Sequence, residues 1–242
     1  ALRAGRGADA IQPLIALIQG DPNQPVAIYR ALLIQLYRAS RLEDAATWGE
    51  AGIKRHPRDV ELLNVLGVVY RRLRRYPQAI ALLDRAAKLA PGNTAVQSNR
   101  GNVLLDLDDG ARAEAVFAKL VRADPRNAEL LRQLGRALLS QDKREPAMSR
   151  FRQAVAQRKT LVEAWLDMIG LEVAAQRLPE AEALLAKASA ANPDHPRLFE
   201  AQAMLLRRSH QLRRAESLLI DLLPRFDDAA WLHYQLGATV AD

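Results

Sequence analysis

The polar side chains best suited to recognising another molecule are amides and guanidinium groups in the middle of the sequence. They are Asn64, Arg71, Arg72, Asn99, Asn102, Arg132, Gln133 and Arg136. A side-chain amide both donates and accepts hydrogen bonds, which matches the backbone of an extended peptide. Arginine can add two parallel hydrogen bonds to a carboxylate or a phosphate. These residue types therefore indicate peptide binding, provided that the fold brings them to a common surface.

Residues for catalysis or for metal binding form no comparable pattern. The chain has no cysteine, which excludes disulfides and thiolate metal sites. The four histidines are spread along the sequence with no carboxylate at ligand spacing, and they are His56, His195, His210 and His233. The segment Gly5-Arg6-Gly7 lacks the strand and the further glycines of a dinucleotide-binding loop. We therefore predict that this chain is not an enzyme and that it has no cofactor and no metal site.

A 34-residue period runs through the sequence, and the elements it defines must position the polar residues. The twentieth position of each complete unit is alanine: Ala45, Ala79, Ala113, Ala147, Ala181 and Ala215. The eighth position is glycine in four units: Gly67, Gly101, Gly135 and Gly237. The thirty-second position is proline in four units: Pro57, Pro91, Pro125 and Pro193. The clearest copy is the stretch Val60 to Asn93.

These positions predict a pair of antiparallel helices in every unit. Apolar residues three and four apart give each helix one buried stripe. The small residues at positions eight and twenty allow the two helices to approach closely where they cross. Proline near the end of the unit stops the second helix. One helix pair is too small to bury its own apolar face, so neighbouring pairs must stack, and we predict an all-α superhelix.

This pattern resembles the tetratricopeptide repeat, in an array of the bacterial type. The matching residues of the clearest unit are Leu63, Leu66-Gly67, Tyr70, Ala79, Leu83, Ala86 and Pro91. The resemblance covers residues 26–242 and implies a right-handed α-solenoid superhelix. It also implies that the first helices line a concave groove through positions two, five, six, nine, twelve and thirteen. All eight polar residues named above occupy such positions, so the resemblance assigns them to a partner-binding groove.

The period also predicts the domain organisation. Six units start at residues 26, 60, 94, 128, 162 and 196 and together span 26–229. Residues 1–25 are predicted to form a partial repeat or a capping helix, roughly from Ala8 to Ile18. Residues 230–242 are predicted to be the first helix of a seventh repeat, truncated or capping, with Leu232, Leu236 and Val240 as an uncapped apolar stripe. We expect a piece of a larger protein, and the alternative is an array capped by its own terminal helices.

Two units depart from the expected core pattern. Gln97 and Arg100 occupy the fourth and seventh positions of the third unit, and Glu172 occupies the eleventh position of the fifth. Burying an unpaired arginine is costly, so Arg100 either pairs with an acid or lies on a helix that is rotated outward. We expect local irregularities in curvature at these units, with a second contact site as the alternative.

The leading functional hypothesis is a non-catalytic scaffold for protein–protein interaction that binds a peptide or a partner protein in the groove. The alternative is a substrate-recruiting arm of a larger bacterial enzyme, such as a glycosyl- or sulfotransferase, or of a polysaccharide-export protein. The use of groove amides to bind a peptide is what a resemblance to the repeat arms of protein glycosyltransferases would imply. The amide series is incomplete here, because Ala31, Val65 and Ala201 interrupt position six.

The charge and the hydropathy of the chain restrict the classes of partner that it can bind. The net charge of +7 could attract nucleic acid, but the cations are interspersed with 28 acids and aromatic residues are only 5%. Binding of single-stranded nucleic acid, which needs stacking aromatics beside basic residues, is therefore disfavoured. No apolar run approaches the roughly 18 residues of a membrane span. The absence of cysteine leaves the cytoplasm and the periplasm equally open, and the sequence does not indicate an oligomeric state.

Overall fold

The computed structural model describes residues 10–226 and 230–241, and within these ranges helices joined by short turns form the chain, with no β-strand. The predicted all-α class is therefore confirmed. The helices are α1 Ile11–Gly20, α2 Val26–Arg38, α3 Leu42–Arg55, α4 Val60–Arg72, α5 Tyr76–Leu89, α6 Thr94–Asp106, α7 Gly110–Ala123, α8 Ala128–Leu139, α9 Arg144–Gln157, α10 Val162–Ala174, α11 Leu178–Ala191, α12 Pro196–Arg208, α13 Leu212–Leu222 and α14 Ala230–Ala241. A short 3-10 helix, Leu223–Arg225, follows α13. None of the helices in the described ranges is long and apolar enough to cross a bilayer.

The helix starts follow the period of the sequence. The first helices of successive pairs begin at residues 26, 60, 94, 128, 162, 196 and 230. By its internal contacts the chain divides into two compact units, unit 1 (Ala1–Ala123) and unit 2 (Asp124–Asp242). The helix predicted from Ala8 to Ile18 is α1, which runs from Ile11 to Gly20, and Ala8 lies outside the described residues. The division into six repeats with a partial repeat at each end stays a prediction.

Local signals explain where many first helices begin and end. Asp59, Asn93 and Asn127 cap α4, α6 and α8, because each side chain accepts a hydrogen bond from the backbone N–H three residues later. After each of the six first helices from α2 to α12 the chain turns through one residue with φ near +57° to +60°, and none of these residues is glycine. They are Ser40, Arg74, Asp108, Asp142, Gln176 and His210, one in every repeat period.

The contact between the helices of a pair follows from the small residues. A Cβ on Gly67 would lie 2.7 Å from Cγ of Leu83, and one on Gly101 would lie 2.6 Å from Cζ of Phe117. The first pair reverses this arrangement, since Leu33 stands at position eight and Gly49 faces it, with a Cβ on Gly49 3.1 Å from Cδ2 of Leu33. The six alanines at position twenty are fully buried. The prediction that small residues mark the helix crossings is therefore confirmed.

The polar side chains at core positions of the third and fifth repeats all have partners in the structure. Nε of Arg100 lies 2.5 Å from Oδ1 of Asp84 on α5, so the first of the two alternatives for Arg100 is correct. Gln97 donates from Nε2 to the carbonyl of Pro91 at 3.1 Å. Glu172, which is buried, accepts a hydrogen bond from Nε of Arg177 at 2.5 Å. Arg100 and Gln97 are thus satisfied by the preceding repeat, and Glu172 is satisfied within its own repeat.

The prediction that the apolar stripe of α14 is uncapped is wrong for Leu232 and Leu236, the two of its residues whose side chains are described. Leu232 is fully buried, and it packs with Ala203, Leu219 and Leu222 of α12 and α13. Leu236 packs against the same cluster, while the side chain of Val240 lies outside the described residues. The described part of the stripe is covered because it faces the preceding helix pair, and Tyr234 is a large side chain of α14 that stays exposed, at 74%.

Alanine at two helical glycines should change stability in opposite directions. At Gly135 a Cβ would lie 2.5 Å from Cε1 of the buried Phe151. Overpacking of about 1–3 kcal/mol then outweighs the helix-propensity gain of about 1 kcal/mol, so Gly135→Ala lowers the free energy of unfolding. At Gly170 nothing lies within 4 Å, so Gly170→Ala raises it. Urea unfolding followed by circular dichroism measures both, and a stabilising Gly135→Ala would contradict the close crossing of α8 and α9.

The pH dependence of stability should report on Tyr70. Burial, and then the hydrogen bond that the hydroxyl donates to the Glu50 carboxylate, raise the pKa of Tyr70 to about 12. The folded protein therefore holds this proton more tightly than the unfolded chain, in which a tyrosine has a pKa near 10. The contribution to stability is complete below about pH 10 and is lost as the pH rises towards about 12.

Over that pH window the free energy of unfolding should fall more steeply for the wild-type protein than for Tyr70→Phe, which cannot ionise. Urea titrations at a series of alkaline pH values provide the measurement. Two parallel curves would show that Tyr70 is not held in its protonated form by the fold.

Candidate functional site

The eight predicted binding residues all lie on first helices, but they divide between the two units. Five of them belong to α4 and α6 in unit 1: Asn64, Arg71, Arg72, Asn99 and Asn102. The other three belong to α8 in unit 2: Arg132, Gln133 and Arg136. We call these sets the unit-1 face and the unit-2 face and describe each by itself.

Two amides of the unit-1 face are joined to each other. Nδ2 of Asn99 donates to Oδ1 of Asn64 at 2.9 Å, and the two residues are one repeat period plus one residue apart. This bond uses one hydrogen of Asn99 and one lone pair of Asn64. The NH₂ group of Asn64 and the carbonyl oxygen of Asn99 keep their hydrogen-bonding capacity. Both side chains are half-buried, so their orientation is restrained while one edge of each remains open.

Asn102 lies three residues after Asn99 on α6 and makes no hydrogen bond with the described residues. Its Oδ1 is buried and lacks a partner. Exchanging the two amide atoms in the assignment would leave a buried nitrogen unsatisfied instead, so the conclusion does not depend on the assignment. A buried polar atom without a partner is costly, on the order of 1–3 kcal/mol. Asn102 is therefore the least satisfied polar side chain of the unit-1 face.

The two arginines of the unit-1 face differ in their surroundings. Nε of Arg71 lies 2.5 Å from Oδ2 of Asp106 on α6, so a carboxylate of the protein already neutralises this guanidinium. The guanidinium of Arg72 lies over the ring of Tyr37, 5.5 Å from its centroid, and the residue is exposed. Arg72 thus remains open to an anion, whereas Arg71 has its charge partner within the face.

The unit-2 face is built around a buried carboxylate. Nε of Arg132 lies 2.6 Å from Oδ2 of Asp167 on α10, and most of both side chains is buried. Burial raises the pKa of Asp167, and the hydrogen bond from Arg132 and the charges of Arg132, Arg136 and Arg197 oppose that rise without cancelling it. This ion pair is therefore a structural link between α8 and α10.

The remaining residues of the unit-2 face form a chain of hydrogen bonds along α8. Gln133 donates from Nε2 to Oε1 of Glu129 at 3.1 Å, and Arg136 donates from Nη1 to Oε1 of Gln133 at 3.2 Å. Arg136 makes no ion pair with a carboxylate of the described residues. Gly170, three residues after Asp167 on α10, has open space where a Cβ would be. The unit-2 face therefore offers one guanidinium held in place by a neutral amide.

Asp106 and Asp167 are the partners that the predicted site set omitted. Each lies 35 residues after its arginine, as Asn99 does after Asn64, and this spacing is the signal that would have identified them. Among the described residues no group of three or more His, Cys, Asp or Glu side chains could hold a metal ion. His56 instead lies 3.1 Å from the carbonyl of Gln24 and contacts the ring of Tyr29 edge-on.

Solved structures of several proteins share this fold. A tetratricopeptide repeat protein from Parabacteroides merdae has a TM-score of 0.79 at 14% identity, with 99% of this chain and 94% of that chain covered. PilW, a widely conserved type IV pilus biogenesis factor, has a TM-score of 0.72 at 18% identity, covering 87% and 98%. YrrB, a TPR protein with an unusual peptide-binding site, has 0.59 at 19% identity, covering 78% and 97%. At such identities the likeness establishes the fold alone.

Comparison of the sequence with known families agrees with the fold. Models of the tetratricopeptide repeat match residues 30–94 and 98–160, and a further one matches residues 138–205. A comparison with curated protein sequences finds no match. The fold of these repeats is typically non-catalytic. By its period, its helix pairs and these matches, the chain belongs to the tetratricopeptide repeat family and is a protein-interaction scaffold.

Proposed function

We propose that the chain binds an extended segment of a partner protein on the unit-1 face, through hydrogen bonds to the peptide backbone. The observation that carries this proposal is the amide pair Asn64–Asn99. Each amide fixes the orientation of the other and leaves a donor on Asn64 and an acceptor on Asn99. An extended peptide presents both a C=O and an N–H to such a pair, so the two sets of groups are complementary.

The preorganisation of the amides is what makes them suitable for binding. A free asparagine side chain loses rotamer freedom when a ligand orders it, at a cost of about 0.5–1.5 kcal/mol for each ordered side chain. The bond of 2.9 Å between Asn99 and Asn64 restrains both side chains before the ligand arrives. The ion pair between Arg71 and Asp106 links the same two helices, α4 and α6, and so holds the amides in register.

A charged group adds selectivity for acidic side chains of the partner. Arg72 on the unit-1 face is exposed beside Tyr37. Its guanidinium can bind a carboxylate through two hydrogen bonds. Backbone recognition supplies affinity for any extended peptide, and this cation favours a sequence that carries an acid.

Asn99→Asp should weaken binding of extended peptides with little change in side-chain size. The carboxylate cannot donate to Oδ1 of Asn64, so Asn64 must turn its amide and donate to the carboxylate instead, which draws the NH₂ group of Asn64 away from the peptide and adds a negative charge to the face. Linear peptides selected on the wild-type protein from a random display library should bind Asn99→Asp at least about tenfold more weakly, equivalent to roughly 1.4 kcal/mol. Isothermal titration calorimetry on the selected peptides measures the change.

The matched control is Gln78→Ala, which removes an exposed amide of the second helix α5 that has no hydrogen bond among the described residues. Its affinity should equal that of the wild-type protein. Selected peptides that bind Asn99→Asp as tightly as the wild-type protein would refute the assignment of the unit-1 face.

A further inference from the structure

Unit 2 contains an apolar cavity on the side of its second helices, away from the residues of the unit-2 face. It has a volume of about 650 Å³ and lies among α9, α10 and α11. Trp165, Met168, Val155 and Leu184 supply its large apolar side chains, and the small residues Ala156 and Ala190 leave it open. This volume lies within the range of about 300–1,000 Å³ that is typical of ligand-binding pockets. We call it the α9–α11 groove.

Three cations surround the apolar side chains of this groove. Arg152 lies on α9, Lys159 in the connection to α10 and Lys187 on α11, and all three are exposed. None of them forms an ion pair or a side-chain hydrogen bond with the described residues, and no aspartate or glutamate lines the groove. A cluster of like charges around an apolar surface repels itself, so an anionic partner would relieve that repulsion.

The base of the groove is held in a fixed position. Nε1 of Trp165 donates to the carbonyl oxygen of Lys159 at 2.8 Å, so the polar atom of the indole is satisfied, and the 8% of the residue that stays exposed lines the groove. Lys159 occupies the thirty-second position of its repeat, where four other repeats have proline. The departure from proline therefore places one of the three cations beside the tryptophan.

The corresponding place in unit 1 has different chemistry. A cavity of about 560 Å³ there is lined by Pro91, Gln97, Arg100, Val116 and Lys119, which stand two repeat periods before Lys159, Trp165, Met168, Leu184 and Lys187. Arg112 also lines it. Arg100 pairs with Asp84, and Arg112 pairs with Asp109 at 3.2 Å. The cavity itself and one lysine unpaired among the described residues, Lys119 in unit 1 and Lys187 in unit 2, thus come with the repeat, whereas the apolar base and the further cations Arg152 and Lys159 distinguish the α9–α11 groove.

We propose that the α9–α11 groove is a second docking site, which binds an acidic segment of a partner protein with one large apolar side chain. The apolar side chain enters the cavity against Trp165 and Met168, and the acidic residues on either side of it pair with Arg152, Lys159 and Lys187. An acidic peptide suits the groove better than a fatty acid does. A fatty acid has one carboxylate, whereas a peptide can place a carboxylate near each of the three cations, which lie on three different elements. This inference is independent of the peptide site on the unit-1 face.

The peptide Glu-Glu-Glu-Phe-Glu-Glu-Glu is a suitable probe, with calorimetry at low ionic strength as the measurement. The wild-type protein should bind it, and Arg152→Glu/Lys187→Glu should bind it at least about tenfold more weakly. Both substitutions lie at exposed helical positions, and glutamate is nearly as good a helix former as arginine or lysine, so the fold is retained. Circular dichroism verifies this.

The control variant Arg126→Glu/Arg213→Glu makes the same change in net charge at two exposed cations of unit 2 outside the groove. It should bind the probe within about twofold of the wild-type protein, which separates local pairing from long-range attraction. A peptide with glycine in place of phenylalanine should bind much more weakly. Asn99→Asp should leave binding of the probe unchanged.

Three results would overturn the proposal. The first is the absence of probe binding to the wild-type protein, including the case in which dodecanoate alone binds and the occupant is a small amphiphile. The second is an equal loss of affinity in the groove variant and in the control variant, which would reduce the effect to net charge. The third is equal affinity for the phenylalanine and glycine peptides, since the cavity would then have no part in binding.

Discussion

A large side chain packs into the space left by a glycine where the two helices of a pair cross. Leu83, Phe117 and Phe151 occupy this space beside Gly67, Gly101 and Gly135. The close approach buries the apolar stripes of both helices, which neither helix could bury alone. The first pair keeps the same complementarity with the large and small residues exchanged between its helices, Leu33 and Gly49. In these four pairs the contact therefore needs a glycine on one of the two helices, and either helix can supply it.

Because the core contact occupies fixed positions in every repeat, the remaining positions can vary in their chemistry. On the first-helix faces, residues 35 apart meet across neighbouring helices, as an amide pair in Asn64–Asn99 and as ion pairs in Arg71–Asp106 and Arg132–Asp167. On the second-helix side, equivalent cavities have a polar base in unit 1 and an apolar base with Trp165 in unit 2. One scaffold thus carries surfaces that suit different partners.

Much of the fold could be predicted from the sequence, since the period of alanine, glycine and apolar residues reports directly on which side chains are buried. The starts of the first helices and the burial of Ala79 and its equivalents follow from that period. The environment of the polar residues could be predicted only in part. Arg71 and Arg132 have the right chemistry for a ligand, yet each is bound to an aspartate that becomes its neighbour only in the helix register.

The α9–α11 groove could not be predicted from the sequence either, because it too depends on which residues become neighbours in the fold. Its volume depends on the distance between helices and on small residues such as Ala156 and Ala190 in three dimensions, and one sequence carries no measure of either. The period does place Lys159 at a position where four repeats have proline. The structure is needed to show that Lys159 lies next to Trp165, because the hydrogen bond from Trp165 to the carbonyl of Lys159 joins residues six apart in the chain.

The central claim is that the amides of the unit-1 face receive the backbone of an extended peptide. Nuclear magnetic resonance of the side-chain NH₂ groups, recorded while a selected peptide is added, tests it most directly. We expect the signals of Asn64, Asn99 and Asn102 to shift in proportion to occupancy while that of Gln78 on α5 stays in place. Shifts at Gln78 with none at these three asparagines would contradict the account.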